Sequence, residues 1–130
     1  MVGGVTAETL NGFTGAATQF GSLADGRYTL TALAGQITAG GVQLDGNGDG
    51  TPGDNFVVSP QAAGGLFRYY GDANGDARVD VADLVAFAGT YLKVLGDTGY
   101  LAYFDFNNDN RVDVADLGAF AARYLTVLPP

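Results

Sequence analysis

The 130-residue chain contains no cysteine, no histidine and no tryptophan, and sets six basic residues against 14 acidic ones. Without cysteine there are no disulfides, and without either Cys or His there is no thiolate or imidazole site of the zinc type. Ser–His and Cys–His catalysis fall with them. A formal net charge of −8 is the reverse of the basic stripe that nucleic acid requires. No run of about 18 apolar residues is present, so no segment reads as a membrane-spanning helix. The start, Met1-Val2-Gly3-Gly4, lacks the charged and apolar regions of a signal peptide. A chain of this kind is either cytoplasmic or an excerpt from a longer secreted protein. With 47% hydrophobic residues it is too apolar for a disordered acidic tail.

What is present in quantity is aspartate. Thirteen of the 14 acids are Asp, the exception being Glu8. Glu is the better helix former, so this preference points to loops, caps or ligands. Eleven of the 14 lie in three short segments: Asp45, Asp49 and Asp54; Asp72, Asp76, Asp80 and Asp83; Asp105, Asp109, Asp113 and Asp116.

The patterning predicts an α+β chain in two parts. Residues 1–62 read as a small β-rich part, a partial sandwich. Strands are expected over Arg27–Leu33, where Tyr28, Leu30 and Ala32 alternate with Thr29 and Thr31, over Asn55–Ser59, and more weakly over Gln36–Ala39. Asn11-Gly12, Asp25-Gly26 and Gly40-Gly41 mark turns. Phe13, Phe20, Leu23, Tyr28, Leu30, Leu33 and Ile37 are its candidate core. Ser59 to Gly65 reads as a linker. Residues 63–130 carry two helical patterns, Val81–Leu92 and Val114–Leu125. Their apolar residues Leu84, Phe87, Ala88, Tyr91 and Leu117, Phe120, Ala121, Tyr124 follow i, i+3, i+4, i+7 spacing.

The two helical patterns are copies. An offset of 33 residues, from Asp72 to Asp105, aligns Asp72 through Leu84 with Asp105 through Leu117. It continues through Phe87/Phe120, Tyr91/Tyr124, Leu92/Leu125 and Val94-Leu95/Val127-Leu128. Duplication on this scale implies two supersecondary units sharing one core, with the apolar helix faces meeting.

Each copy places oxygen side chains at loop positions 1, 3, 5, 9 and 12: Asp72, Asn74, Asp76, Asp80 and Asp83; then Asp105, Asn107, Asp109, Asp113 and Asp116. A calcium ion takes 6–8 oxygen ligands, and a loop of about 12 residues supplies them from these positions plus the position-7 carbonyl. Those carbonyls belong to Arg78 and Arg111. Turn-making and helix-capping alone explain Asp80 with Asp83, and Asp113 with Asp116, but not positions 1, 3 and 5 twice over. Two calcium ions are therefore expected. Val79 and Val112, at position 8, are expected to pair the two loops through a short β bridge. Position 6 is Ala77 in one loop and Asn110 in the other where Gly is usual, which makes the second loop the less strained.

No helix pattern precedes Asp72, so each copy is a loop with an exiting helix, half an EF-hand. Together with Gly71-Asp72-Ala73-Asn74-Gly75-Asp76 and Arg123-Tyr124-Leu125, this resembles the type I dockerin domain over residues 67–128. The resemblance implies two calcium ions and docking onto a cohesin-type partner through the helices. In cellulosomal dockerins a hydroxylic recognition pair often follows position 9. Here those places hold Val81-Ala82 and Val114-Ala115.

Leu23 to Thr31 and Leu44 to Thr51 resemble the end of a bacterial Ig-like domain, a fragment that would pair with itself, the helical part or another chain. Within it, Asp45, Asn47 and Asp49 fill positions 1, 3 and 5 of a further loop, with Gly50 at position 6 and Asp54 beyond. Two readings stand: a third calcium site, or a Gly-rich connection between strands. The aromatic groups Phe67, Tyr69, Tyr70 and Tyr100, Tyr103, Phe104 read as packing. The functional expectation is a non-catalytic module for calcium-dependent attachment at the cell surface or outside the cell, as part of a longer secreted protein. The alternatives are a calcium-stiffened structural cap without an outside partner and, third, a fragment of a polysaccharide-degrading enzyme.

Overall fold

In the computed structural model of the chain, residues 18–60 and 65–130 are described. The expected boundary at residue 62, the middle of the linker, Phe13 and the Asn11-Gly12 turn lie outside them. The fold divides into two units, one joining Tyr69–Leu128 with the described residues up to Asp25, the other Gly26–Arg68 with Pro129–Pro130.

The second unit consists of antiparallel two-stranded ribbons. Gly26–Arg27 pairs with Phe67–Arg68, Leu30–Ala32 with Phe56–Val58, and Thr38–Ala39 with Val42–Gln43. The expected strand from Arg27 to Leu33 is thus broken at Tyr28, whose N–H donates to the Leu66 carbonyl instead (2.8 Å). No second layer covers these ribbons among the described residues. Leu30, Leu33 and Ile37, expected in a core, are each more than 40% exposed, and Ala34 is the buried apolar residue. A sandwich needs two facing sheets to bury such side chains, and separate ribbons cannot supply them.

In the first unit, a short hairpin pairs Thr18–Gln19 with Ser22–Leu23. Helices α1 (Val81–Thr90) and α2 (Val114–Ala121) each start at a capping box. Asp80 accepts from the Ala82 N–H (2.8 Å) while Asp83 accepts from the Asp80 N–H (2.8 Å). Asp113 and Asp116 repeat the arrangement at 2.9 and 2.7 Å. Such caps satisfy N–H groups that a helix start leaves orphaned.

The core holds Tyr70, Val79, Phe87, Phe104, Val112 and Phe120. The helices meet through Phe87 and Phe120, ring centroids 4.8 Å apart, with Phe104 edge-on to Phe87 at 5.2 Å. The buried helix face differs from the expected one. Ala88 and Ala121 are exposed, and the places one turn before each Phe are taken by Asp83 and Asp116, at 1% and 0% exposure. The stripe rotates because the position-12 carboxylates must reach back into their loops.

Val79 and Val112 do not pair with each other. Each loop instead pairs with the segment following the other helix. The Leu125 N–H donates to Val79 O (2.7 Å) and Leu128 N–H to Ala77 O (2.8 Å). In the other copy, Leu92 N–H donates to Val112 O (2.7 Å) and Leu95 N–H to Asn110 O (2.9 Å). The exchange frees both valine side chains to enter the core, where each is fully buried.

Gly71 precedes the first loop at φ +95°, and a Cβ there would lie 3.1 Å from Phe120 and 3.2 Å from Val79. Gly71→Ala is expected to lower stability by about 1–2 kcal/mol through backbone strain alone, read as a reduced urea midpoint with unchanged slope.

Candidate metal centre

Three loops share one local geometry. In the first, Asp72 Oδ1 accepts from the N–H groups of Gly75 (2.7 Å) and Asp76 (3.2 Å), and Oδ2 from Ala77 (2.8 Å). Asn74 accepts from Asp76 N–H (3.0 Å), and Asp76 from Arg78 N–H (2.9 Å). The second loop repeats this: Asp105 accepts from Asp109 (3.1 Å) and Asn110 (2.8 Å), Asn107 from Asp109 (3.1 Å), and Asp109 from Arg111 (3.0 Å). Positions 1, 3 and 5 are therefore drawn together around a tight turn. To close it, position 6 takes a left-handed conformation, φ 65° at Ala77 and 69° at Asn110.

The carbonyls of Ala77 and Val79 face the exchanged strand, as do those of Asn110 and Val112. Alternation along a strand turns the carbonyls between them, from Arg78 and Arg111, toward the loop side, as a position-7 ligand needs. Both arginine side chains are exposed.

Positions 9 and 12 are placed differently. Asp80 and Asp113 cap their helices, so they face the helix start. Asp83 and Asp116 span the loop: Asp83 accepts from Ala73 N–H (2.8 Å) as well as from Asp80, and Asp116 from Phe106 N–H (2.7 Å) as well as from Asp113. Among the described residues, three acids whose ligand oxygens all lie within 4.8 Å of one another occur at Asp45, Asp49 and Asp54, and not in the tandem loops.

The donor set fits a hard cation. Asp83 and Asp116 are buried carboxylates whose partners are backbone N–H groups, which offset only part of the negative charge. Burial pushes the Asp116 carboxyl above the usual aspartate range, with the Asp105 charge adding to it. Asp49 lies below that range because the Thr51 N–H and then the Asn47 side chain stabilise its charged form.

Tyr100 was legible only as an aromatic in a packing cluster. Its hydroxyl donates to Asp105 Oδ2 (2.7 Å), which orients the first carboxylate of the second loop, and burial followed by this bond raises its pKa. The equivalent residue 33 places earlier is Phe67, so no periodic signal marked it. The ion pair of Arg123 with Asp25 (2.5 Å) was likewise unmarked. Arg123 also stacks over Tyr70 and Phe106, at 5.4 and 5.1 Å from their ring centroids.

Residues 70–124 match the family model of the dockerin type I domain, a span that is less than half of the chain. This segment is similar to type I dockerin domains, a family of non-catalytic modules for calcium-dependent protein–protein attachment. No curated protein and no solved structure matches the chain. Among the described residues, no helix is long and apolar enough to cross a membrane.

Ala at φ 65° is disfavoured by about 1–2 kcal/mol, whereas Asn tolerates that region. Ala77→Gly is therefore expected to raise the thermal midpoint by the equivalent of about 0.5–1 kcal/mol, after the extra unfolded-state entropy of Gly. Asn110→Gly is expected to leave it nearly unchanged, and equal gains at both sites would contradict the strain argument.

The raised Asp116 pKa also sets a pH dependence. Burial favours the neutral acid, so this group stabilises the metal-free fold below its unfolded pKa and loses that contribution as pH rises through the folded value. Calcium demands the opposite, a charged carboxylate. The rise in melting temperature that calcium produces should accordingly shrink between about pH 7 and about pH 4, measured by scanning calorimetry with and without calcium.

Proposed function

We propose that the loops 72–83 and 105–116 each hold one calcium ion, and that the loaded unit is a non-catalytic module docking onto a cohesin-type partner outside the cytoplasm. The ligands are Asp72, Asn74, Asp76, the Arg78 carbonyl and Asp83 in one loop, and Asp105, Asn107, Asp109, the Arg111 carbonyl and Asp116 in the other. Asp80 and Asp113 act through water or as caps. The observation that carries the reading is the same hydrogen-bond pattern in two loops 33 residues apart, inside the span matched to the dockerin family.

Docking is supported by what the helices leave open. Val81 and Val114 are 64% and 72% exposed, with Ala82 and Ala115 exposed beside them. These apolar pairs follow the helix caps at matching places in both copies. They suit a partner that presents an apolar surface there, in contrast to the hydroxylic pairs of cellulosomal dockerins. Extracellular calcium is abundant enough to load even a weak module.

A second reading, a calcium-stiffened structural cap, is favoured by two contacts. The Asp25–Arg123 ion pair and the edge contact of Phe20 with Phe106 (5.5 Å) hold residues 18–25 within the calcium-loop unit. On this reading calcium would stiffen the unit that these contacts join, whether or not it docks.

Isothermal titration of the chelator-treated chain should show that Asp72→Ala and Asp105→Ala each remove one bound calcium. At a hundredfold excess of calcium over Kd, each should also forfeit about 2.7 kcal/mol of ligand-linked stability. An unchanged stoichiometry in both variants would overturn the loop assignment. Pull-down on a cohesin-type partner separates the two readings: docking predicts capture with calcium and none with chelator, and the cap predicts none in either.

A further inference from the structure

We infer that the Asp45 turn is a third cation site, built for calcium by Asp45, Asn47, Asp49 and Asp54. It stands apart from the tandem loops and does not depend on them.

The turn copies their first half. Asp45 Oδ1 accepts from Gly48 (2.8 Å) and Asp49 (3.1 Å), and Oδ2 from Gly50 (2.8 Å). Asn47 accepts from Asp49 N–H and Asp49 from Thr51 N–H, both at 2.8 Å. Thr51 thereby takes the place of Arg78 and Arg111, whose carbonyls are the position-7 donors. This pattern by itself is also what a Gly-rich strand connection would show.

Asp54 is what the connection does not explain. Its backbone already does the structural work: Gly46 N–H donates to Asp54 O (3.0 Å), and Gly53 N–H to Leu44 O (2.8 Å). Its side chain is surplus to the turn, yet it is aimed at the other acids, with one ligand oxygen each from Asp45, Asp49 and Asp54 mutually within 4.8 Å. Asp54 Oδ2 is shut off from solvent and has no hydrogen-bond partner. A buried anionic oxygen without a donor is strongly unfavourable, and a cation resolves it.

The chain is also built to bring Asp54 in. A Cβ at Gly46 would lie 2.2 Å from both the Asn55 carbonyl carbon and the Phe56 nitrogen, so only glycine allows the returning strand this close. The donors are all oxygen, which selects a hard cation, and an irregular turn suits the variable coordination of calcium better than the stricter octahedron of magnesium. Among the described residues of this unit, Ala34 is the buried apolar one. The ion would therefore supply a fixed centre that its hydrophobic side chains do not.

The test is a calcium titration of the chelator-treated, full 130-residue chain, followed by amide resonances in a 15N correlation spectrum. The Gly48, Gly50 and Thr51 amides are expected to shift and saturate with a Kd of about 10⁻⁴–10⁻³ M. Asp54→Asn is expected to weaken that titration at least about tenfold, while the Gly75 and Asn110 amides titrate as in the parent. The inference is overturned if Gly48 and Gly50 show no saturable shift up to about 10 mM calcium, or if Asp54→Asn leaves their titration unchanged. If instead Gly48 and Gly50 titrate while Gly75 and Asn110 do not, the third site stands and the tandem-loop assignment falls.

Discussion

The helical unit depends on two buried carboxylates. Asp83 and Asp116 each grip the start of a loop through one oxygen and the start of a helix through the other. Each thus fixes the distance between the two ends of a 12-residue turn and the direction in which the helix leaves. A carboxylate so placed is stable only if its charge is answered, and the N–H dipoles at a helix start answer part of it. The rest is what a divalent cation among the neighbouring Asp side chains would supply.

From this constraint the remaining architecture follows. Because position 12 faces inward, the helix stripe rotates, Phe87 and Phe120 meet, and Ala88 and Ala121 are left outside. Because each loop pairs with the segment after the other helix, neither copy can close alone. Val79 and Val112, paired with those exchanged segments, turn their side chains into the aromatic core. The proposed metal ligands and the core residues alternate along the same few residues, so the proposed loading of a loop would be coupled to packing of the core.

Much of the site was legible because its signals are local and doubled. Positions 1, 3 and 5 were readable from spacing, and in the structure they share a tight turn with a left-handed position 6, followed by the capping acids at the helix starts. What escaped were contacts between residues distant in sequence. Tyr100 on Asp105 has no counterpart in the first copy, and Arg123 reaches Asp25 across 98 residues. The pairing of Val79 with Val112 failed for a related reason: similarity between copies suggests that like meets like, whereas the two-fold exchange joins unlike segments. In the β-rich unit, alternation marked the strand segments but not their partners, and the expected core of Leu30, Leu33 and Ile37 did not form. Hydrophobic alternation gives a face, and only a second layer makes that face a core.

Acidity links the two units. Two divalent cations would halve the net charge of −8, and the Asp45 turn would reduce it further. If the clustered aspartates organise the fold around bound cations, the aromatic core depends on calcium. Near-ultraviolet circular dichroism of the full chain, recorded in chelator and then in excess calcium, tests it most directly. The aromatic signal of the Phe87, Phe104, Phe120 and Tyr70 core is expected to be weak in chelator and to return in full with calcium. A spectrum that is strong and identical in both conditions would contradict it.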